Sequence, residues 1–338
     1  SEIGDKIRMD VKHFQKVITD FEHSGCDYTA DDVIAEFSSN NPENFLFPFM
    51  EGVIANLKTL GKIRTSETYA ATLCSFRRFR EDKDVTLDDM DSDMMMAYEA
   101  YLKNNGVSPN SSSFYMRNLR AVYNRAVEKG LTSQRFPFKH VYTGVEKTVK
   151  RAVPLKVIKK IKEMDFSMNP SFDFARDMFL MSFYTRGMSF VDMAYLRKKD
   201  LQNGVLSYRR RKTGQQLFIK WEKCMQEIVD KYDTSQSNYL LPIIKPFGDI
   251  DERKQYIYAA HNINRCLKII GKELGLSVSL TLYVARHAWA SIAKSKNVPL
   301  SVISEGMGHD SEATTRIYLA SLDTMAIDKA NSMILKSL

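Results

Sequence analysis

Helical periodicity runs through almost the whole 338-residue chain and breaks once, at two short alternating segments flanking a five-residue turn. Elsewhere apolar residues recur at three- and four-residue spacing, the pattern that buries one stripe of an α-helix. Val205–Arg209 and Gln215–Lys220 instead follow the period of two that a half-buried strand requires. Arg210-Arg211-Lys212-Thr213-Gly214 lies between them, so the two segments read as a hairpin with Lys212 at its tip. This pattern predicts a mainly α fold with a small β-hairpin or sheet, and the length favours two domains.

Turn chemistry at Ser38–Phe45 (SSNNPENF) closes an acidic, largely helical lead-in over residues 1–44. Four helical stretches follow. Phe47–Leu60 is apolar-periodic, and Thr65 is placed to cap a helix carrying Tyr69, Leu73 and Phe76 with Arg77, Arg78 and Arg80 at its end. Asp91 is placed to cap a third, with Met94, Met95, Tyr98, Tyr101 and Leu102. After a loop at Asn105–Ser113, the stretch Phe114–Lys129 buries Leu119, Val122, Tyr123 and Ala126 and turns Arg117, Arg120, Arg125 and Lys129 outward. A basic connector containing Lys147, Lys150 and Arg151 leads into the second domain, so the units expected are 1–44, 45–147 and 148–338. Helices are expected there near Leu155–Met164, Phe172–Met188, Cys224–Tyr232, Ala259–Leu274, Leu282–Lys294, Leu300–Met307 and Glu312–Leu319. The tail, Asp323–Leu338, sets Met325, Ile327, Ala330, Met333 and Ile334 on one side, a stripe for packing on its own domain or on a neighbouring protomer.

Charge sorts along the chain. Residues 1–50 hold 4 basic and 10 acidic side chains, 51–150 hold 16 and 12, and 151–338 hold 29 and 19. A pI near 9.1 with positive charge gathered towards the C-terminus points to a polyanionic partner. No apolar run reaches membrane-spanning length, and the N-terminus lacks a secretory signal, so the expected location is the cytoplasm, without membrane association. Cys26, Cys74, Cys224 and Cys266 are scattered without zinc-type spacing and read as buried free thiols. The first residue is Ser rather than Met, as in a trimmed chain or a fragment of a longer protein.

Three segments carry chemistry: Phe183–Leu196 (FYTRGMSFVDMAYL), the hairpin tip, and Leu280–Ser291 (LTLYVARHAWAS) followed by Glu305–Leu319 (EGMGHDSEATTRIYL). The last joins Arg286-His287 to Gly308-His309, Thr314-Thr315, and Tyr318 nine residues after the second histidine. In these residues the chain resembles the tyrosine recombinases, the phage integrase family, and within it integrases of mobile elements from Bacteroides-type bacteria. The resemblance implies a helical, SAM-like core-DNA-binding domain and a mixed α/β catalytic domain, with the lead-in as a remnant of an arm-binding region. It also implies Tyr318 as nucleophile, Arg286 as the second active-site arginine, His309 as the later histidine and Lys212 as the mobile lysine. The implied DNA contacts are Arg77, Arg78, Arg117, Arg120, Lys147, Lys150, Arg151, Arg210 and Arg211.

Two positions depart from the family pattern. Tyr283 stands where a histidine is usual, three residues before Arg286. Ser189 stands where the first arginine is usual, three before Asp192. That role falls to Arg186, one helical turn upstream and about 4.5 Å along the same helix face; the alternatives are Ser189 itself or another arginine such as Arg176. Tyr283, Ser189 and His287 are accessory candidates; taken singly, His287 reads as a buried histidine and Trp289 as core.

The chemistry accounts for these residue types. A phosphodiester under attack gathers charge on its non-bridging oxygens, and guanidinium forks match that geometry without deprotonating. Lysine on a movable turn suits protonation of the departing 5′-oxygen, and a tyrosyl ester keeps the bond energy for religation. No cofactor or metal is expected. What the resemblance implies is integration or excision of a mobile element at double-stranded attachment or core sites, by a tetramer clamped on DNA acting through a Holliday junction. A DNA-bending host factor is an expected accessory partner, and the nucleoid the expected place. The alternatives are a catalytically impaired DNA-binding protein on the same fold and a type IB topoisomerase-like strand transferase.

Overall fold

The structure, a computed structural model, describes residues 2–25, 27–39, 44–146, 152–245, 250–319 and 331–335. It divides into two compact units, Ser1–Lys147 and Thr148–Leu338.

The first unit opens with α1 (Glu2–Ser24) and α2 (Ala30–Ser39). Four helices then build one core: α3 (Leu46–Thr59), α4 (Ile63–Phe79), α5 (Ser92–Asn104) and α6 (Pro109–Glu128). Phe76, Tyr98, Leu119, Val122 and Tyr123 are fully buried there, with Phe76 edge-on to Tyr98 at 5.0 Å. The Tyr98 hydroxyl lies within 2.7 Å of Ser75 Oγ, which satisfies it inside the core. Asp91 caps α5 through the Met94 N–H, as its position in the sequence implies. Thr65 does not cap: α4 starts two residues earlier, at Ile63. The expected loop at Asn105–Ser113 is half helix, because Ser108 accepts from Ser111 N–H and Pro109 supplies the fixed φ of a first turn.

The second unit holds α7 (Leu155–Glu163), α8 (Pro170–Tyr184), α9 (Phe190–Ala194), α10 (Lys223–Asp230), α11 (Glu252–Glu273), α12 (Leu282–Ser295), α13 (Leu300–Gly306) and α14 (Glu312–Leu319). A three-stranded antiparallel sheet of order β1-β2-β3 lies between α9 and α10: β1 (Leu201–Gln202), β2 (Val205–Arg209) and β3 (Gln216–Lys220). Leu206 pairs with Ile219 and Tyr208 with Leu217, which puts the apolar alternation on one buried face. β1 and α9 are too short for periodicity to announce. Helix α11 begins seven residues before its expected start, where Asp251 caps the N–H groups of Arg253 and Lys254. The core runs through α8, whose Ala175, Met178, Phe179 and Met181 are fully buried, and into α12 through Val284, Ala285 and Ala288. Residues 331–335 are helical with Met333 and Ile334 exposed; Met325, Ile327 and Ala330 lie outside the described residues. Cys266 is buried, but Cys74 is exposed, contrary to the reading of every thiol as core; Cys26 is outside the described residues. Among the described residues no helix is long and apolar enough to cross a membrane.

An ion network ties α8 to α10. Asp177, 2% exposed, accepts from Arg176 Nε at 3.0 Å, from the Tyr232 hydroxyl at 2.8 Å, and from Lys231. Removing Asp177 leaves Asp173 as the carboxylate that faces both the Arg176 and the Lys231 cations. Asp177→Ala is therefore expected to cost about 3 kcal/mol of stability, read as a lower urea midpoint, while Tyr232→Phe costs about 1 kcal/mol.

Candidate active site

Two helix ends and one hairpin converge on Arg286. Helix α8 ends in a Schellman motif: Arg186 N–H donates to Phe183 O at 3.2 Å and Gly187 N–H to Ser182 O at 2.7 Å. The left-handed position, usually glycine, is here Arg186 with φ +61°, followed by Gly187 with φ +74°. Helix α13 ends the same way, with Gly308 N–H on Glu305 O, His309 N–H on Ser304 O, and Gly308 at φ +65°. The two terminations turn the Gly187 and Met307 carbonyls towards α12. Arg286, 6% exposed, donates NH1 to Gly187 O at 2.6 Å and NH2 to Met307 O at 2.7 Å and His309 Nε2 at 2.9 Å.

This bonding fixes the histidine tautomer. Arg286 has only donors, so His309 Nε2 must accept, and the ring proton sits on Nδ1. Nδ1 lies 2.7 Å from Oγ1 of Thr315, a fully buried residue of α14, and donates to it. Burial pushes the His309 pKa down to about 4, helped by the positive charges of Arg286, Arg210 and Lys212. The imidazole is neutral near pH 7, and in this tautomer Nε2 cannot donate.

The hairpin is braced from two sides. Arg210 is 8% exposed and its NH1 donates to Gly308 O, so it holds the hairpin to the His309 turn and is not among the exposed basic residues. A Cβ on Gly308 would meet Leu217 Cδ1 at 2.9 Å and Arg210 Cδ at 3.1 Å. On the other side Asp192, 4% exposed, accepts from the Arg211 N–H at 2.9 Å, and the Arg211 guanidinium lies 3.9 Å from the Tyr195 ring centroid. Lys212, on the exposed turn, is near enough for its charge to act on His309.

The structure separates the three candidates for the first-arginine position. Arg176 donates to Asp173, Asp177 and Met164 O, all within the α8–α10 network. Ser189 caps α9 and its hydroxyl donates to Asp192 Oδ2 at 2.7 Å. Arg186 is half-buried, with its stem beside Gly306 and Trp289, and its charge acts together with those of Arg286 and Arg210 on the Tyr208 phenol. It does not share a helix face with Ser189, as the spacing implied, because α8 ends at Tyr184 and a new helix starts after Ser189.

Tyr283 is exposed on α12 with its ring 4.6 Å from that of His287, which is buried. Tyr318 lies on α14, one turn beyond Thr315; its side chain is outside the described residues, as are Lys147, Lys150 and Arg151. Arg77 binds Glu51 at 2.5 Å, Arg78 Nε donates to Cys74 O, and Arg117 and Arg120 are exposed on α6. Among the described residues no group of three His, Cys, Asp or Glu side chains is placed to hold a metal. Sequence reasoning missed the parts played by Thr315, Gly187 and Arg210. The Thr-Thr pair lay inside the most specific motif, and the Arg-Gly step after an apolar helix marks a termination, but neither names its partner.

Residues 45–141 match the phage integrase SAM-like domain family and residues 155–325 the phage integrase family. No curated protein matches the chain. Among solved structures it is similar to a lambda integrase dimer bound to a COC′ core site, at 17% identity over 88% of this chain and 83% of that one, with a TM-score of 0.65. A lambda integrase tetramer bound to a Holliday junction gives 17% identity, 87% and 82% coverage, and a TM-score of 0.61. A Tn1549 transposon integrase in complex with a circular intermediate DNA gives 15%, 80% and 94%, and 0.57. At these identities the likeness establishes the fold.

Three measurements follow from the geometry. Nitrogen-15 NMR of the ring at pH 7 should find His309 neutral and protonated on Nδ1; Thr315→Val should lose that preference and Thr315→Ser keep it. Because the folded pKa of about 4 lies below the ordinary 6.5, the unfolded chain takes up the proton first, so this share of stability is complete above about pH 6.5 and is lost as pH falls towards 4. His309→Asn should flatten that part of a stability profile measured by denaturant unfolding. Gly187→Ala, whose Cβ would meet Arg286 Cα at 2.7 Å in a positive-φ turn, should cost about 3 kcal/mol.

Proposed function

As the chain belongs to the phage integrase family, the tyrosine recombinases, we propose that it cuts and rejoins DNA site-specifically through a 3′-phosphotyrosyl link at Tyr318. The observation that carries this reading is the convergence of Arg186, Arg286, His309 and the Lys212 hairpin on one side of the catalytic unit. Arg286 and Arg186 hold the non-bridging oxygens of the scissile phosphate and stabilise the charge that grows there during attack.

Proton transfers balance within the same cluster. The Tyr318 oxygen forms a bond to phosphorus as the bond to the 5′-oxygen breaks, and Lys212 gives the leaving oxygen its proton. The phosphate's negative charge offsets the cations that depress His309, so Nε2 gains basicity when the Tyr318 proton must leave. His309, protonated on both nitrogens, then donates to a phosphate oxygen. In the reverse step a 5′-hydroxyl attacks, returns a proton to Lys212, and Tyr318 recovers its own from His309. Tyr283 serves as a hydrogen-bonding group and not as the base.

Residues 45–147 supply the core-DNA-binding domain, with phosphate contacts from Arg77, Arg78, Arg117 and Arg120; Arg211 and the connector's Lys147, Lys150 and Arg151 extend them. Residues 148–338 are the catalytic domain, and 1–44 a remnant of an arm-binding region. The working form is a tetramer on paired double-stranded sites, passing through a Holliday junction as in the similar lambda integrase complex. The setting is the bacterial nucleoid and the biology that of a mobile element of the Bacteroides type, with a DNA-bending host factor as partner.

The test is a nicked duplex carrying the element's crossover site, incubated without added metal and run on a denaturing gel. Wild type should give a 3′-linked protein–DNA band and Tyr318→Phe none. Arg186→Gly, which also relieves the left-handed strain, should fold at least as well yet form the link 10²- to 10³-fold more slowly, the range seen on removing one preorganised donor. Binding by wild type without a covalent band would overturn the proposal in favour of a passive DNA-binding protein; relaxation without joining of two sites would favour a topoisomerase.

A further inference from the structure

Beyond α6 the first unit runs through a segment without regular structure, and Phe136 stands out in it. Its ring is 65% exposed, while Phe138, two residues on, is 6% exposed and edge-on to Tyr123 at 6.2 Å. Phe136 also holds φ +53°, a left-handed conformation that strains a bulky residue.

This conformation is held on purpose-built bonds. Phe136 N–H donates to Gln134 Oε1 at 3.0 Å, and Gln134 Nε2 donates to Asn124 Oδ1 on α6 at 3.2 Å. Lys139 N–H closes the turn on Phe136 O at 3.1 Å. The preceding residues are anchored as well: the Tyr123 hydroxyl donates to Ser133 O at 2.8 Å, and Arg135 NH1 donates to Asp88 O at 2.9 Å. A segment that only connected two elements would relax the backbone and cover the ring. Here a braced loop keeps a strained aromatic in solvent.

Between this loop and α6 lies a groove of about 490 Å³, floored by Pro137 and Phe138. Arg120 and Lys139 supply positive charge at its wall, Asn124 and Gln134 supply carboxamides, and none of its lining residues is acidic. Arg117, exposed one turn before Arg120, continues the basic face along α6. Cations for phosphates and an aromatic face for a base or sugar are means by which proteins grip nucleic acid, while the two carboxamides brace the loop that presents the ring. A protein partner matched to this groove would need an acidic rim.

Resting on the recombinase reading above, we infer that the groove beside Phe136 is a DNA-reading site of the first unit, in which Phe136 packs against a base or deoxyribose while Arg120 and Lys139 take the flanking phosphates. Phe136 is then a specificity-determining residue, remote in sequence from the cleavage chemistry.

The experiment measures binding of full-length protein to two labelled duplexes of equal length, one carrying the crossover site and one scrambled, across a salt series. Phe136→Gly removes the ring and the strain together. It should raise or maintain thermal stability, weaken binding to the crossover duplex about tenfold, the loss expected of one aromatic–base contact, and change the scrambled duplex less than threefold, leaving the salt slope unaltered. Lys139→Gln should weaken both duplexes and lower the slope by about 1. Wild-type binding to the crossover duplex that Phe136→Gly and Lys139→Gln both preserve would overturn the inference while leaving the recombinase reading intact. A wild type that binds neither duplex would overturn both. A Phe136→Gly protein that loses stability in step with binding would assign the ring a structural role instead.

Discussion

The catalytic unit depends on one buried guanidinium. Arg286 sits on α12 at 6% exposure, and a charge taken that far from water needs fixed acceptors. Two are main-chain carbonyls, Gly187 O and Met307 O, which face it because α8 and α13 both end in left-handed turns. The third is His309 Nε2. The arginine therefore sets the separation of three segments, and the residues that terminate two helices become part of the site. Gly187 shows how tight the arrangement is, since even a methyl group there would overlap the Arg286 backbone.

A second brace, sharing the α13 turn with the first, holds the hairpin that carries Lys212. Arg210 reaches Gly308 O on one side, and Asp192 takes the Arg211 N–H on the other. The carboxylate that caps its own short helix with Ser189 thus also aims the β2–β3 turn. The lysine is left on an exposed turn whose base is fixed. Burial, helped by the cations so assembled, holds His309 neutral.

The DNA-facing parts named by sequence divide on inspection. Arg117 and Arg120 stay exposed on α6, whereas Arg77 lies over the Phe47 ring beside Glu51, and Arg210 is interior. Charge count cannot make this distinction, because an arginine stem packs as readily as its head solvates. Phe136 is exposed while Phe138, two residues on, is buried, and the backbone φ and hydrogen bonds of Phe136 go with that difference.

Much was legible without coordinates. Period-3.6 patterning located most helices, with α14 placed at Glu312–Leu319 from the start, and the single period-two interruption located the sheet. Element ends were less legible where a cap outweighed the apolar pattern, as at Ser108-Pro109 and Asp251. The order of Arg286, Gly308-His309, Thr314-Thr315 and Tyr318 fixed the family and the nature of the chemistry, because side-chain type and spacing are local properties. Tertiary structure alone decided which arginine stands beside the site, why Ser189 and Arg176 do not, and which His309 nitrogen carries the proton. The His309 tautomer depends on Arg286, 23 positions away, and Arg286 in turn on Gly187 O, 99 positions away; no local pattern reports where a distant carbonyl will point.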